Sequence, residues 1–349
     1  MLWRSPDRAR RQFRGSKPQF PINEEGIVRR TILGKSGLEV SRIAFGTWEL
    51  GGEWGPTDTV AATQAIREAA DKGVTFFDTA QGYGFGQSEH LLAAALADLP
   101  REKVVIATKG GLRPKGSGVV RDASASWIRR GVDASLRALD TDYIDLYQVH
   151  WPDPSTPFEE TAEELGKLVA DGKLRHVGVS NFDVEQMEAF STTLPVETLQ
   201  PPYHLFRRKI ETEVLPYTAA NDIGVLVYGP LAHGLLSGDL MPDTEFDRHD
   251  WRSKSPVFHG DSFKRNLRAV ERLQRLAREE LDVTLAQLAV AWTLHNPAVD
   301  VAIVGTHTPS HIDEALAAAD LDLEDDTIKR IDEIMGDAVQ VGGPSPEGM

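Results

Sequence analysis

Eight times along the chain, a short apolar run rich in Val and Ile ends in a polar or Gly-containing turn. Between these runs lie longer stretches whose apolar residues recur three and four apart, the spacing of a helix with one buried face. The runs read as strands at Ile43–Gly46, Thr75–Asp78, Val104–Thr108, Ile144–His150, His176–Ser180, Thr198–Pro201, Gly224–Tyr228 and Val301–Ile303. The helical stretches are clearest at Ala61–Asp71, Ser124–Leu139 and Phe158–Asp171. Strands alternating with helices imply a parallel sheet joined by right-handed crossovers, and eight such units suit closure into a (β/α)8 TIM barrel. An open doubly wound α/β sheet is the rival. It lacks support, because no Gly-rich phosphate fingerprint follows any of the runs.

Two segments fall outside the repeat. Thr31–Ser41, centred on Gly34-Lys35-Ser36-Gly37, reads as an N-terminal β-hairpin able to plug one end of the barrel. Gly229–Asp261 is a long polar loop with three prolines after strand seven, and loops of that length in a compact domain are usually functional.

Composition sets the outer limits. The 349 residues are 41% hydrophobic, enough for one large core. With no cysteine, disulfides and thiolate metal sites are excluded, and no metal site is expected. No apolar stretch approaches the roughly 20 residues of a membrane span, so a cytoplasmic protein without a membrane partner is expected. A formal charge of -15 argues against nucleic acid as a partner. Residues 1–30 run the other way, with eight Lys/Arg against three Asp/Glu. Residues 1–27 therefore read as a flexible Arg-rich arm, with an organelle transit peptide as the lesser reading. Residues 28–336 form the barrel and 337–349 a C-terminal tail. Oligomeric state is not legible.

In such a barrel the reactive groups stand where strands end. Strand two closes on Asp78, with Tyr83 five residues on between two glycines; strand three delivers Lys109 to a Gly-Gly turn; strand four ends at His150-Trp151-Pro152. Singly, each has an ordinary reading: a helix cap, a loop aromatic, a first solvated lysine, a satisfied rim histidine. Together, three successive strand ends bring an acid, a phenol, a cation and an imidazole to one rim. Hydride addition to a carbonyl builds negative charge on its oxygen and needs a proton donor within hydrogen-bond reach. A free phenol near pKa 10 is a poor donor at neutral pH, but an adjacent ammonium favours phenolate. Lys109 supplies that charge, Asp78 holds Lys109 in place, and His150 orients the carbonyl.

These residues resemble the catalytic tetrad of the aldo-keto reductase family. The likeness runs from about Val28 to Met335 and includes Phe77-Asp78-Thr79-Ala80 with Tyr83, Lys109 before Gly-Gly, Asp145-Leu146-Tyr147-Gln148 before His150, and Gly178-Val179-Ser180-Asn181-Phe182. It implies a (β/α)8 enzyme reducing aldehydes or ketones reversibly, with Tyr83 as general acid. NADP(H) is implied first and NAD(H) second, bound in extended form across the rim.

Cofactor positions carry over singly. Thr47 and Trp48 follow strand one; Ser180, Asn181 and Gln200 match the polar group that grips the nicotinamide carboxamide; Tyr228 stacks on the ring. The run Gly229-Pro230-Leu231-Ala232, continuing to Ser237, resembles the pyrophosphate loop of the longer-looped bacterial and potassium-channel-β-like members, with Arg252 closing over it. Gly305, Thr306, His307, His311 and Glu314 fall at the adenosine end. There the chain departs from the pattern: His311 replaces an Arg or Gln, Ala315 an Asn, and Asp239 a loop lysine. A substrate pocket of Trp48, Tyr83, His150 and Trp151, with His204 or Phe206, would present an aromatic mouth to a small carbonyl compound. Two other readings stand beside this one: a nicotinamide-binding sensor subunit with little turnover, and a Schiff-base aldolase using Lys109.

Overall fold

The computed structural model describes residues 28–52, 58–116, 118–248, 250–306 and 310–341. The Arg-rich arm of residues 1–27, His307 and the tail from residue 342 lie outside the described residues.

All eight expected strands are present, as β3 (Ile43–Gly46), β4 (Phe76–Asp78), β5 (Val105–Gly110), β8 (Ile144–Val149), β9 (Leu174–Ser180), β10 (Thr198–Gln200), β11 (Gly224–Tyr228) and β12 (Val301–Gly305). They close into one barrel in that order, with β12 returning to pair with β3, and every pairing is parallel. Alternate side chains take opposite faces, as the strand period requires. Ala44, Phe76, Ala107, Leu146, Leu226 and Val301 fill the interior. Phe45, Phe77, Ile106, Tyr147, Val177 and Leu199 face outward into the helical layer.

That layer comprises α1 (Thr59–Asp71), α2 (Gln87–Leu96), α3 (Ala125–Ala138), α4 (Phe158–Ala170), α5 (Val184–Ser191), α6 (Val214–Ala220), α7 (Gly260–Glu280), α8 (Leu285–His295), α9 (Ser310–Ala319) and α10 (Asp325–Met335). α1 illustrates the local logic. The Asp58 carboxylate accepts from the Val60 and Ala61 N–H groups, and Ala62, Ala65, Ile66 and Ala69 make the buried stripe. No described helix is long and apolar enough to cross a membrane.

The N-terminal hairpin pairs β1 (Arg30–Ile32) with β2 (Glu39–Ser41) and stoppers the end of the barrel opposite the strand C-termini. Leu33 is fully buried among the interior side chains, and the Lys35 N–H donates to the Asp222 carbonyl at 2.7 Å. The approach at Gly34 admits no side chain: its φ is +48°, and a Cβ there would lie 2.1 Å from the Gly224 nitrogen. A second hairpin, β6 (Leu112–Lys115) with β7 (Gly118–Arg121), was not anticipated and stands beyond β5. Its sequence signal is the glycine turn around Gly116, which takes φ +61°. Among the described residues between β11 and α7 there is no strand, as expected of the long loop. Residues 337–341 lie against the barrel: Val339 exchanges two hydrogen bonds with the Asn266 side chain, and the Val341 N–H donates to the Phe206 carbonyl.

Candidate active site

The C-terminal ends of adjacent strands bring the four expected side chains together. Asp78 is the last residue of β4, and Lys109 stands near the end of β5, both facing inward and both buried. The Lys109 Nζ donates to Asp78 Oδ2 at 2.6 Å and to the Thr79 carbonyl at 3.0 Å, and it lies 3.2 Å from the Tyr83 hydroxyl. Gln200 Nε2 donates to the second carboxylate oxygen of Asp78 at 2.8 Å. An ammonium removed from water keeps its charge only when paired this closely.

Tyr83 reaches the site from a turn in which Gly84, Phe85 and Gly86 all have positive φ. His150 follows β8, with its ring edge-on to Tyr83 at 5.7 Å between centroids and 80° between planes. Burial, reinforced by the Lys109 charge, holds the His150 imidazole well below its ordinary pKa, so it is neutral at physiological pH.

A cavity of about 480 Å³ opens over Asp78 and Tyr83, while Lys109 and His150, both buried, stand behind its lining. Among the expected residues, Thr47, Trp48, Asp78, Tyr83, Gln200, Tyr228, Gly229, Pro230, Leu231, Arg252, Gly305, Thr306 and His311 line it. Ser180 and Asn181 stand just behind. Ser180 Oγ donates to the Gln200 carbonyl at 2.9 Å; Asn181 Nδ2 donates to the His150 carbonyl at 3.1 Å, and Asn181 Oδ1 accepts from the Tyr228 hydroxyl at 2.9 Å. These bonds fix an amide beside an aromatic face, a fit for a carboxamide-bearing ring.

The loop after β11 is internally bonded. The N–H groups of Ala232, Gly234, Leu236 and Ser237 donate to carbonyls of Gly229, Leu231, Leu231 and Gly234. These bonds occupy part of the loop's N–H groups and draw it into a compact turn. Arg252 lines the cavity beside it, but its guanidinium is held by Asp250, with Nη2–Oδ2 at 2.6 Å, and by the His233 carbonyl at 3.3 Å.

Several expected residues stand outside the cavity. Ala232 is buried in the outer core, Ser237 bonds within its loop, Glu314 is half-buried on α9, and Trp151 packs under Arg121 with the guanidinium 4.9 Å from the ring. Phe206 is not at the mouth: it is fully buried in the core beneath α7 and α8, because its apolar ring gains more there than at a wet rim. The aromatic rings lining the cavity include Trp48 and His233, backed by Trp251 stacked on Trp48 at 6.3 Å and edge-on to His233, and by buried His204 edge-on to His233.

Sequence reasoning missed Gly46, Glu49, Leu50, Asp58, Ile303 and Val304 and did not single out His233 and Gly234 within their loop; all of these line the cavity. His233 lay within the loop already singled out, and Glu49 directly follows Trp48. At the far end His311 Nδ1 lies 3.1 Å from Thr306 Oγ1, while Ala315 is buried and Asp239 exposed.

The Aldo/keto reductase family model matches residues 42–335. The chain is 45% identical over 289 residues to the aldo-keto reductase YhdN of Bacillus subtilis (strain 168), covering 82% of this chain and 87% of that protein. Its fold superposes on a glycerol dehydrogenase from Gluconobacter oxydans with a TM-score of 0.81 and 38% identity, covering 91% and 98% of the two chains. An aldo/keto reductase from Klebsiella pneumoniae in complex with NADP and acetate matches with a TM-score of 0.69 and 29% identity, covering 91% and 98%. With that family match running from the first barrel strand to the last described helix, the chain belongs to the aldo/keto reductase family of oxidoreductases.

Proposed function

We propose that the protein reduces aldehydes or ketones to alcohols, reversibly, with NADP(H) as its first cofactor and NAD(H) as its second. The observation that carries this reading is the Lys109 ammonium, 2.6 Å from Asp78 and 3.2 Å from the Tyr83 hydroxyl. The bound cofactor supplies hydride to the carbonyl carbon. Tyr83 donates its proton to the carbonyl oxygen as negative charge grows there, and Lys109 stabilises the phenolate left behind. Asp78 keeps Lys109 charged, and Gln200 holds Asp78 from the other side. Neutral His150, edge-on to Tyr83, orients the carbonyl by hydrogen bonding without competing for the proton.

In this reading Tyr228, Asn181 and Ser180 grip the nicotinamide, the loop from Gly229 with Arg252 meets the pyrophosphate, and Thr306 with His311 meets the adenosine. The Klebsiella relative's complex with NADP supports the first cofactor. Arg252 is the only Lys or Arg among the described cavity-lining residues, which keeps NAD(H) in play. The lining of Trp48 and His233, backed by Trp251, suits a small carbonyl compound with an apolar face.

The test is Tyr83→Phe, assayed with a panel of aldehydes and NADPH. Turnover is expected to fall by orders of magnitude while dinucleotide affinity stays near that of the parent. An unchanged rate removes Tyr83 from the mechanism.

A further inference from the structure

We propose that Glu89, acting through Thr108, is a positioning residue that sets the distance between the Tyr83 hydroxyl and the Lys109 ammonium. The inference rests on the reading of Tyr83 as proton donor.

Thr108 and Lys109 are neighbours on β5 and so point to opposite faces of the barrel wall. Lys109 turns inward to Asp78 and Tyr83, whereas Thr108 turns outward and donates its hydroxyl to Glu89 at 2.7 Å. Glu89 lies in the first turn of α2, the helix that begins directly after the turn carrying Tyr83. The residue before it closes the connection. The Ser88 N–H donates to the Tyr83 carbonyl at 3.3 Å, and Ser88 Oγ donates to the Thr47 carbonyl at 2.9 Å and lies 3.2 Å from Thr79 Oγ1. A ring of contacts thus runs from Lys109 through Thr108, Glu89, Ser88 and Tyr83 back to Lys109.

That ring matters because the segment between Tyr83 and α2 is only a short 3-10 turn, broken by a non-helical conformation at Phe85. Gly84, Phe85 and Gly86 all sit at positive φ, including Phe85 at +46°, where L side chains rarely rest. The turn is held at its ends, and α2 is one of them. Glu89 itself is 1% exposed, a costly place for a carboxyl unless its bonds serve a purpose. Burial pushes its pKa up, against hydrogen bonding from Thr108 and Ser135 and the nearby His90 and Lys109 charges; Tyr147 feels the same carboxyl from β8. The effect of an ammonium on a phenol falls with their separation, so a small displacement of α2 is felt as chemistry at Tyr83.

The experiment compares Thr108→Val, which keeps shape and removes the hydroxyl, with Thr108→Ser, which restores it. Each is assayed for kcat, for the alkaline limb of the kcat/KM profile, and for NADP⁺ affinity by tryptophan fluorescence. Thr108→Val is expected to lower kcat about tenfold or more, to move the alkaline limb upward by about half a unit as the phenol retreats from the ammonium, and to leave NADP⁺ affinity within about twofold. Thr108→Ser is expected within about twofold of the parent. Glu89→Ala carries the same test from the other partner. Thr108→Val removes no charge, and in Glu89→Ala the loss of any negative charge near Tyr83 would move the limb downward, so an upward shift is specific to lost positioning.

A parental limb in both Thr108→Val and Glu89→Ala, a loss of kcat without a shift, or failure of Thr108→Ser to restore the parent overturns the inference. If Tyr83→Phe retains full turnover, the proton-donor reading fails first. If Tyr83→Phe is inactive while Thr108→Val is parental, only the positioning role fails.

Discussion

Lys109 and Asp78 face each other across the inner wall of the barrel, Nζ to Oδ2 at 2.6 Å, and both side chains are shut off from solvent. Such a pair contributes little net stability while intact, but removing one partner strands a buried charge. Lys109→Met is therefore expected to cost about 3–5 kcal/mol of folding stability as well as turnover. The double variant Lys109→Met/Asp78→Asn should recover most of the stability and none of the activity. Urea unfolding alongside a carbonyl-reduction assay separates the two. Recovery of turnover in the double variant would assign Lys109 a purely structural role.

Much of this was legible in the sequence, for a physical reason. Barrel strands buried on both faces must be apolar throughout, so Gly224–Tyr228 and Ile43–Gly46 stand out from the helices with their spaced polar residues. Residues that end such strands announce themselves, and Asp78, Lys109 and His150 did. Loop geometry does not follow from pattern. Whether the Gly229 loop offers its N–H groups outward depends on left-handed φ values at Ala232 and His233. The burial of Phe206, apart from His204 two residues earlier, follows from packing against α7 and α8, contacts distant in sequence. The role of Glu89 was illegible for the same reason: its partner Thr108 lies on another strand.

Tyr228 ties the cofactor side of the site together, since its hydroxyl donates to Asn181 Oδ1 at 2.9 Å while Asn181 Nδ2 donates to the His150 carbonyl. Tyr228→Phe keeps the ring and removes one hydrogen bond that orients the Asn181 amide. A typical bond of this kind contributes about 1 kcal/mol, so NADP⁺ affinity is expected to fall roughly fivefold with a smaller change in kcat. Fluorescence titration checks it. A fall in kcat at unchanged affinity would place Asn181 in the chemistry rather than in binding.

His311 lines the cavity at the end where the proposed cofactor reading puts the adenosine, and there a guanidinium would best meet a 2′-phosphate. His311 is exposed, so an arginine there meets no packing obstacle. His311→Arg is expected to tighten NADP⁺ by about tenfold, the worth of one charge-assisted hydrogen bond, and to leave NAD⁺ unchanged. Parallel titrations with the two dinucleotides measure the ratio. Equal tightening of both would move His311 away from the 2′-position.

Acid should weaken the fold through imidazoles buried in neutral form. His204 is 2% exposed, and burial, reinforced by His233 and Arg207, holds it well below its ordinary pKa; His233 is pushed down to about 3 by burial with Arg207 and Arg252. For such a group the unfolded chain takes up a proton near pH 6.5 and the folded chain does not, so its stability contribution is full above that pH and lost as pH falls below it. Asp300, raised to about 6 by burial, works in the opposite sense and partly masks the trend. A difference between two proteins removes that background. His204→Phe keeps an aromatic ring against His233 and deletes one titration, so on going from pH 7 to pH 5 the variant should lose less stability than the parent, by up to about 2 kcal/mol. Urea midpoints at the two pH values give the comparison directly, and equal losses would mean that His204 already carries a proton in the folded protein.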